Sequence, residues 1–207
     1  MSDITYTIGN SLYINLTNRC TNQCEFCIRY KTKNLNRQYS LWLDKEPTVE
    51  EIINAVGDAS KYQQIVFCGY GEPLIRLEAV IAIARKIKDE SRTTNHESRI
   101  RIDTNGLANL FYGRNVLPEL KGLIDFISVS LNADNAEVYD RLCSAFYGKR
   151  AYAAVIDFIR EAKKYIPEVE ATVVDLPMVD IDKARVIADQ LGVGFRVRPY
   201  YEENYVR

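Results

Sequence analysis

The sequence predicts an α/β fold in which parallel strands curve into an incomplete barrel with helices on the outside. Six short apolar runs alternate with helix-like stretches along the 207 residues. Strands that are separated by helices pair in parallel through right-handed crossovers. One face of the strand-like runs is repeatedly polar, which suits a concave surface that holds a ligand.

The predicted strands are short, and the predicted helices have recognisable ends. The strands cover residues 11–17, 64–68, 99–103, 126–131, 168–174 and 194–198, and the helices cover residues 47–60, 77–89, 151–165 and 181–191. Pro47 and Thr48, followed by two glutamates, suit the start of the first helix. Gly192 directly follows the last helix as a C-cap.

The alternation along the fourth strand separates the two faces of the sheet. Ile127 and Val129 lie on one face, and Ser128 and Ser130 lie on the other. A parallel sheet covered by helices on both faces gives a continuous apolar run instead. An open sheet with one solvated face is the alternative, but the crossover helices favour the barrel. No linker-like stretch divides the chain, so we expect residues 1–207 to form a single domain.

Charge and hydropathy exclude several classes of protein. The chain has 27 basic and 28 acidic side chains, so a broad nucleic-acid-binding field is not expected. No apolar run approaches the ~18 residues of a membrane helix, and the N-terminus lacks the features of a signal peptide. We therefore expect a cytoplasmic protein with neither membrane nor nucleic acid as a partner. The single histidine, His96, leaves His-based triads and His-rich zinc sites without their usual parts.

Three of the five cysteines follow the first predicted strand. Cys20, Cys24 and Cys27 have the spacing C-x3-C-x2-C, and three thiolates on one loop are soft ligands for an iron–sulfur cluster or for zinc. A closed zinc site needs four ligands, so three leave one coordination position open. The alternative is a structural metal site that a distant cysteine completes. Cys68, in an apolar run, and Cys143, in a helical stretch, are interpreted as packing residues.

Chemically distinctive residues also follow the next three predicted strands, at the edge where α/β folds carry their chemistry. The second strand runs into Gly-Tyr-Gly-Glu-Pro at residues 69–73. Glycine there admits close backbone approach, and a carboxylate can pair with a cation. The third strand ends in Asp-Thr-Asn-Gly at residues 103–106, which alone is an ordinary turn. Ser130 and Asn132 follow the fourth strand.

The cysteine spacing, with aromatic Phe26 before the last cysteine, resembles the signature of the radical S-adenosylmethionine (SAM) superfamily. The resemblance covers the whole chain and implies a partial (β/α)6 barrel. It implies that Cys20, Cys24 and Cys27 hold a [4Fe–4S] cluster whose fourth iron binds the amino and carboxylate groups of SAM. The implied enzyme activity is reductive cleavage of SAM to a 5′-deoxyadenosyl radical, which abstracts hydrogen from a substrate.

The same resemblance assigns the strand exits to the SAM site. Residues 71–73 are similar to the family's Gly-Gly-Glu-Pro, which binds the ammonium group of SAM; Tyr70 replaces its first glycine. Residues 103–106 are similar to a segment of glycyl-radical activating enzymes that lies beside SAM. The polar pair after the fourth strand corresponds to contacts with the ribose and carboxylate of SAM. The predicted cofactor-binding residues are Phe26, Gly69, Gly71, Glu72, Pro73, Asp103, Asn105, Ser130 and Asn132.

A closer likeness is to the short TatD-associated radical SAM proteins, by length and by the Gly-Tyr-Gly-Glu-Pro segment. The implied partners are a small-molecule or peptide substrate and a reduced flavodoxin or ferredoxin-type electron donor. A glycyl-radical enzyme that the protein activates is a further possible partner. The substrate stays open, because the residues of a SAM site do not specify it. A non-catalytic metal- or redox-binding protein with a three-cysteine site on the same barrel is the alternative.

The last strand and its exit carry charged and aromatic residues. Arg196 and Arg198 share its polar face, where they pair with Glu170 or Asp103 or contact substrate. Tyr201 stands where activating enzymes have a histidine after Pro-Tyr.

The segment 28–46 is basic, with two tyrosines and a tryptophan interleaved. We interpret it as a solvated loop that covers the cluster, because runs of charge usually face water. Docking of a peptide or a nucleic acid is the alternative.

Overall fold

Seven strands form the main sheet of the protein, for which a computed structural model describes residues 2–32, 34–35, 38–94 and 98–200. Their bounds are β1 Thr5–Ile8, β2 Ser11–Ile14, β5 Gln64–Phe67, β6 Arg99–Thr104, β7 Phe126–Ser130, β8 Glu168–Val174 and β9 Gly194–Arg198. They lie in the order β1-β2-β5-β6-β7-β8-β9. Between β2 and β5, β3 (Asn34–Leu35) and β4 (Tyr39–Ser40) form a separate two-stranded sheet.

The main sheet is parallel except at one edge. Every neighbouring pair from β2 to β9 is parallel, whereas β1 is antiparallel to β2. Because the strands follow one another in chain order, each crossover carries the chain one position further in the same direction. Right-handed crossovers of this kind place helices on one face and curl the sheet around the other. The predicted α/β fold, with parallel strands and external helices, is confirmed.

The described residues include seven α-helices. Their bounds are α1 Val49–Val56, α2 Leu77–Thr94, α3 Ala108–Tyr112, α4 Leu117–Leu120, α5 Ala136–Cys143, α6 Arg150–Ala162 and α7 Ile181–Leu191. Thr48 begins α1 with a capping box: its hydroxyl accepts from the Glu51 N–H (3.1 Å), and the Glu51 carboxylate accepts from the Thr48 N–H (2.7 Å). Gly192 ends α7 with a φ of 65°. No helix in the described ranges is long and apolar enough to cross a membrane.

The hydrophobic core lies between the sheet and the helices. Ile65, Ile102 and Ile127 point into it from successive strands and are fully buried. Ile83 of α2 and Phe158 of α6 meet them from the outer layer. The opposite face of the same strands carries the polar side chains of the alternation. Burial of one face, at about 25 cal/mol per Å², thus fixes the helices in place and leaves the other face available for a site.

Three predicted elements are too long by more than one residue, among them the helix predicted at 151–165, which ends at Ala162, whereas the helix predicted at 77–89 is too short and extends to Thr94. The strand predicted at 11–17 ends at Ile14, because Asn15 ties the chain elsewhere: its side chain donates to the Leu41 carbonyl oxygen (2.7 Å). The helix predicted at 47–60 ends at Val56, where Gly57 takes a φ of 60°.

The prediction also lacks five short elements, β1, β3, β4, α3 and α4, and gives no bounds for α5, the helical stretch that ends at Cys143. The five short elements are two to five residues long, too short for a periodic apolar pattern to stand out. The strand β1 matters for the site, because it extends the sheet beyond β2. It stacks Tyr6 on Tyr13, with ring centroids 5.0 Å apart.

Candidate active site

The three thiols of the cysteine motif open into one cavity at the carboxyl ends of the strands. This inner cavity has a volume of about 720 Å³. Cys20, Cys24 and Cys27 are half-buried and line it. The predicted cofactor residues that also line it are Phe26, Gly69, Asn105, Ser130 and Asn132. The structure therefore brings the cysteine motif and the exits of β5, β6 and β7 together.

The remaining predicted cofactor residues lie behind that wall. Gly71, Glu72, Pro73 and Asp103 are outside the lining of the inner cavity. Asp103 accepts from the Arg101 guanidinium (2.5 Å) on the concave face of β6. Pro73 is buried at the start of a short 3-10 helix. Direct contact of these four side chains with SAM stays a prediction.

The Glu72 carboxylate joins the exits of β5 and β6. One oxygen accepts from the Thr104 hydroxyl (2.7 Å) and the Leu74 N–H (3.0 Å), and the other accepts from the Asn105 N–H (2.7 Å). Burial raises the pKa of Glu72 to about 7, against the opposing effect of these donors. The side chain thus positions two strand exits beside the cysteine loop.

Two glycines allow the exit of β5 to pack against the chain that leads to the cysteines. A Cβ on Gly71 would lie 2.3 Å from the Thr17 carbonyl oxygen, and a Cβ on Gly69 would lie 2.1 Å from Asn15 Oδ1. Next to this contact, the Glu72 N–H donates to the Arg19 carbonyl oxygen (2.8 Å). Only glycine permits this approach without displacing backbone.

The end of α5 holds the cysteine loop in shape from the other side. The N–H groups of Gln23 and Glu25 donate to the carbonyl oxygens of Cys143 and Leu142, each over 3.0 Å. These bonds flank Cys24 on both sides, so main-chain hydrogen bonds anchor the middle of the motif.

Arg29 and Asn22 are functional candidates that the sequence analysis misses. The Arg29 guanidinium donates to the carbonyl oxygens of Asn18 (3.2 Å) and Asn22 (2.9 Å), and so clamps the loop around Cys20. The Asn22 amide donates to the Tyr139 hydroxyl of α5 (3.1 Å). In the sequence, Arg29 is one of several charges in a basic segment. Its position two residues after Cys27 could have indicated that it lies beside the cysteine loop.

The metal-free thiols hold their protons. Burial and the nearby Glu72 carboxylate raise the pKa of Cys20 to about 12. A hydrogen bond with the Cys143 thiol, together with burial, raises the pKa of Cys24, and burial raises that of Cys27. Binding a metal here therefore requires that the metal displace protons from sulfur.

The donor set fits an iron–sulfur cluster better than a single ion. Three soft sulfur donors face one cavity, while no three His, Cys, Asp or Glu side chains among the described residues are placed to hold one metal ion. The Asn105 amide donates to the Cys20 sulfur (3.7 Å) and to the Thr21 hydroxyl (2.8 Å). Amide donors of this kind commonly surround cluster sulfurs.

Arg198 contacts Ser130 at the end of β7 and Asn132 just after it. Its guanidinium donates to Asn132 Oδ1 (2.9 Å) and to the Ser130 hydroxyl (3.4 Å). The pairing predicted for Arg196 with Glu170 is confirmed (2.9 Å), and Arg198 lies one pleat nearer the cavity. The pair Arg196–Glu170 closes the base of the concave face, and Arg198 faces the inner cavity.

The interpretation of Cys68 as a core residue is wrong. Phe67 points to the helices and is fully buried, so the next side chain points the other way. Cys68 is half-buried and lines the inner cavity. Cys143 is fully buried, as its packing role requires. It also contacts Cys24, a proximity that spacing along the chain did not reveal.

A second, outer cavity of about 500 Å³ lies on the far side of the cysteine loop. Cys20 lines both cavities. The outer one carries Arg19 and Arg29 and five aromatic rings, and Phe146 among these is 87% exposed. The five rings are those of Tyr30, Trp42, Phe111, Phe146 and Tyr147.

The basic segment 28–46 supplies part of both walls. Ile28 and Lys31 line the inner cavity, and Tyr30 and Trp42 line the outer one. The segment covers the cysteine loop, as expected, but its aromatic rings belong to a cavity wall. Lys33 and Arg37 of this segment lie outside the described residues, as do His96 and Tyr201.

Comparison with protein families identifies the class. Residues 14–191 match the model of the radical SAM superfamily, and this span includes the cysteine motif and the three strand exits that follow it. The chain belongs to that superfamily and is an enzyme of this class, whose members use a [4Fe–4S] cluster and SAM. The narrower likeness to TatD-associated proteins stays a prediction.

Curated relatives at the sequence level are RNA methyltransferases. The chain is 30% identical over 130 residues to the dual-specificity RNA methyltransferase RlmN of Geotalea uraniireducens, covering 59% of this chain and 33% of the relative. It is 28% identical over 166 residues to a probable RlmN 1 of Protochlamydia amoebophila, covering 76% and 43%. The chain thus spans a third to under half of the length of these relatives.

Solved structures share the fold at low sequence identity. SuiB of Streptococcus suis superposes with a TM-score of 0.65 at 14% identity, over 97% of this chain and 42% of that one. HydG, a maturase of the [FeFe]-hydrogenase, gives 0.62 at 16% identity, over 95% and 43%. A radical SAM methyltransferase from Sphaerobacter thermophilus gives 0.57 at 17% identity, over 94% and 68%.

Proposed function

We propose that the protein cleaves SAM reductively at a [4Fe–4S] cluster held by Cys20, Cys24 and Cys27, and uses the product to abstract hydrogen from a substrate. The observation that carries this proposal is the inner cavity, onto which all three thiols open beside the exits of three parallel strands. When bound, the cluster supplies the electron that breaks the sulfonium bond of SAM.

The residues of the chain bind, orient and exclude water. Asn105, Ser130 and Asn132 offer amide and hydroxyl groups to the ribose and carboxylate of SAM. Glu72 holds two strand exits together from behind the wall. The segment 28–46 covers the cavity and keeps solvent from the reacting atoms.

The charge of the inner cavity favours an anionic substrate. Lys31 and Arg198 line it, and none of the described residues in its lining is an aspartate or a glutamate. A small molecule or peptide with a carboxylate or phosphate would find a cationic partner in Lys31 there. Methyl transfer to RNA, the activity for which the sequence relatives are named, is the second candidate, supported by their identity to this chain.

The cluster needs an external electron, and the outer cavity is where we place its donor. Cys20 forms part of its floor, so a protein docked there approaches the cluster closely. Arg19 and Arg29 beside exposed aromatic rings suit an acidic electron-transfer protein of the flavodoxin or ferredoxin type.

One contact favours the non-catalytic alternative. Cys143 lies against Cys24, so a four-thiol site is conceivable. The deciding experiment is anaerobic reconstitution with iron and sulfide, followed by electron paramagnetic resonance and chromatography. We expect a reducible [4Fe–4S] signal that changes on addition of SAM, and 5′-deoxyadenosine as product. Stoichiometric zinc without iron or sulfide would establish the alternative instead.

A further inference from the structure

Tyr70 occupies the position of the first glycine in the Gly-Gly-Glu-Pro motif that this segment resembles. The structure shows where its ring packs. The residue follows β5 and is 4% exposed. Its ring packs in a small cluster with Tyr6, Leu35 and Leu41, away from the main core. This packing fixes the direction of the hydroxyl, because the ring is held on all sides.

The hydroxyl of Tyr70 is buried and has no hydrogen-bond partner among the described residues. Leaving a buried hydroxyl without a partner destabilises the folded state, and native proteins keep few such groups without a reason. Tyr70 lines the inner cavity, into which the three thiols open. The missing partner therefore belongs to whatever occupies that cavity.

The Cys27 thiol, which lines the same cavity, acts electrostatically on this hydroxyl. Burial, with a smaller contribution from Cys27, raises the pKa of Tyr70 to about 12. The phenol thus keeps its proton at neutral pH and is a donor. Thiolate and bridging sulfide are acceptors that carry no proton of their own.

We propose that the Tyr70 hydroxyl donates a hydrogen bond to the cluster on its Cys27 side, to the Cys27 sulfur or to an adjacent sulfide. This inference rests on the proposed function. Hydrogen bonds to cluster sulfurs stabilise the reduced, more negative state. Tyr70 is therefore a positioning residue that sets how easily the cluster accepts an electron.

The test is the midpoint potential of the reconstituted cluster, measured without SAM by a redox titration followed by electron paramagnetic resonance. In Tyr70→Phe we expect the ratio of reduced to oxidised cluster at a fixed potential to fall about tenfold, which is 59 mV for one electron. Iron and sulfide content should stay unchanged, because no ligand is removed.

Tyr6→Phe is the matched control, because Tyr6 packs against Tyr70 but already donates to the Cys68 carbonyl oxygen (3.1 Å). It should leave the potential unchanged and lower the stability of the metal-free protein. Tyr70→Phe should leave that stability unchanged or raise it, since the hydroxyl has no protein partner to lose. An unchanged potential in Tyr70→Phe, or a loss of metal-free stability like that of the control, would overturn the inference. A wild-type protein that forms no cluster would overturn the proposed function and this inference together.

Discussion

The inner and outer cavities meet at Cys20, but their walls have different chemistry. The inner wall combines four thiols, amide and hydroxyl groups and the Arg198 guanidinium. The outer wall carries one thiol and five aromatic rings, four of which are exposed to solvent. The difference teaches that a single loop can separate a cavity for the reaction from a surface that binds a partner. Substitutions on the two sides of this loop should therefore impair different steps.

The largest effect is expected from the inner wall. Alanine at Cys20, Cys24 or Cys27 should abolish cluster binding and formation of 5′-deoxyadenosine, because each change leaves one iron without its soft ligand. Iron analysis and chromatography measure both. Circular dichroism should remain that of the wild type, since the loop is anchored by main-chain bonds. Full cleavage activity in any of the three variants would contradict the assignment of ligands.

Glu72, behind the inner wall, gives a pH-dependent effect. Its pKa is about 7 in the folded metal-free chain and about 4.3 in an unfolded one, so the folded state binds the extra proton between these values. Stability contributed by Glu72 is therefore greatest at low pH and is lost as the pH rises from about 4.5 to 7, by on the order of 2–3 kcal/mol. Urea unfolding of wild type and Glu72→Gln at several pH values measures the difference. A difference that does not vary with pH would refute the prediction.

Substitutions in the outer wall should affect only the delivery of an electron to the cluster. Phe146→Glu should slow reduction of the cluster by an acidic donor protein about tenfold at low salt, and Phe146→Lys should accelerate it, because charge at a rim acts mainly on association. Reduction by dithionite should be the same in both variants. Val186→Ala is a control at an exposed apolar residue on α7, away from the loop. Equal rates of cluster reduction in the Glu and Lys variants would show that the donor does not dock on this surface.

The smallest effects separate the two cysteines outside the motif. Cys143→Ala should cost about 1–2 kcal/mol of stability, since its thiol is fully buried and accepts from the Asn132 amide (3.7 Å). Cys68→Ala, half-buried at the inner wall, should cost less than about 0.5 kcal/mol. Both variants should keep the cluster. If Cys143→Ala lost it as completely as Cys24→Ala, the site would have four protein ligands.

The sequence predicts the inner wall far better than the outer one. Cysteine spacing and strand exits are local patterns, and parallel strands bring their exits to one edge whatever the details of packing. The contact of Cys143 with Cys24 joins residues 119 positions apart, as counted from their numbers, and depends on the docking of α5. The outer cavity likewise draws Trp42, Phe111 and Phe146 from three separate segments. The orientation of the Cys68 side chain was predictable from the sequence, because side chains alternate along a strand and Phe67 directly precedes it.

The main-chain bonds that tie Gln23 and Glu25 to the end of α5 have a consequence for biogenesis. None of them involves a sulfur atom, so these bonds do not depend on what the thiols hold. We therefore expect this part of the loop to keep its shape when the cluster is absent, so that a lost cluster can be replaced without refolding the chain.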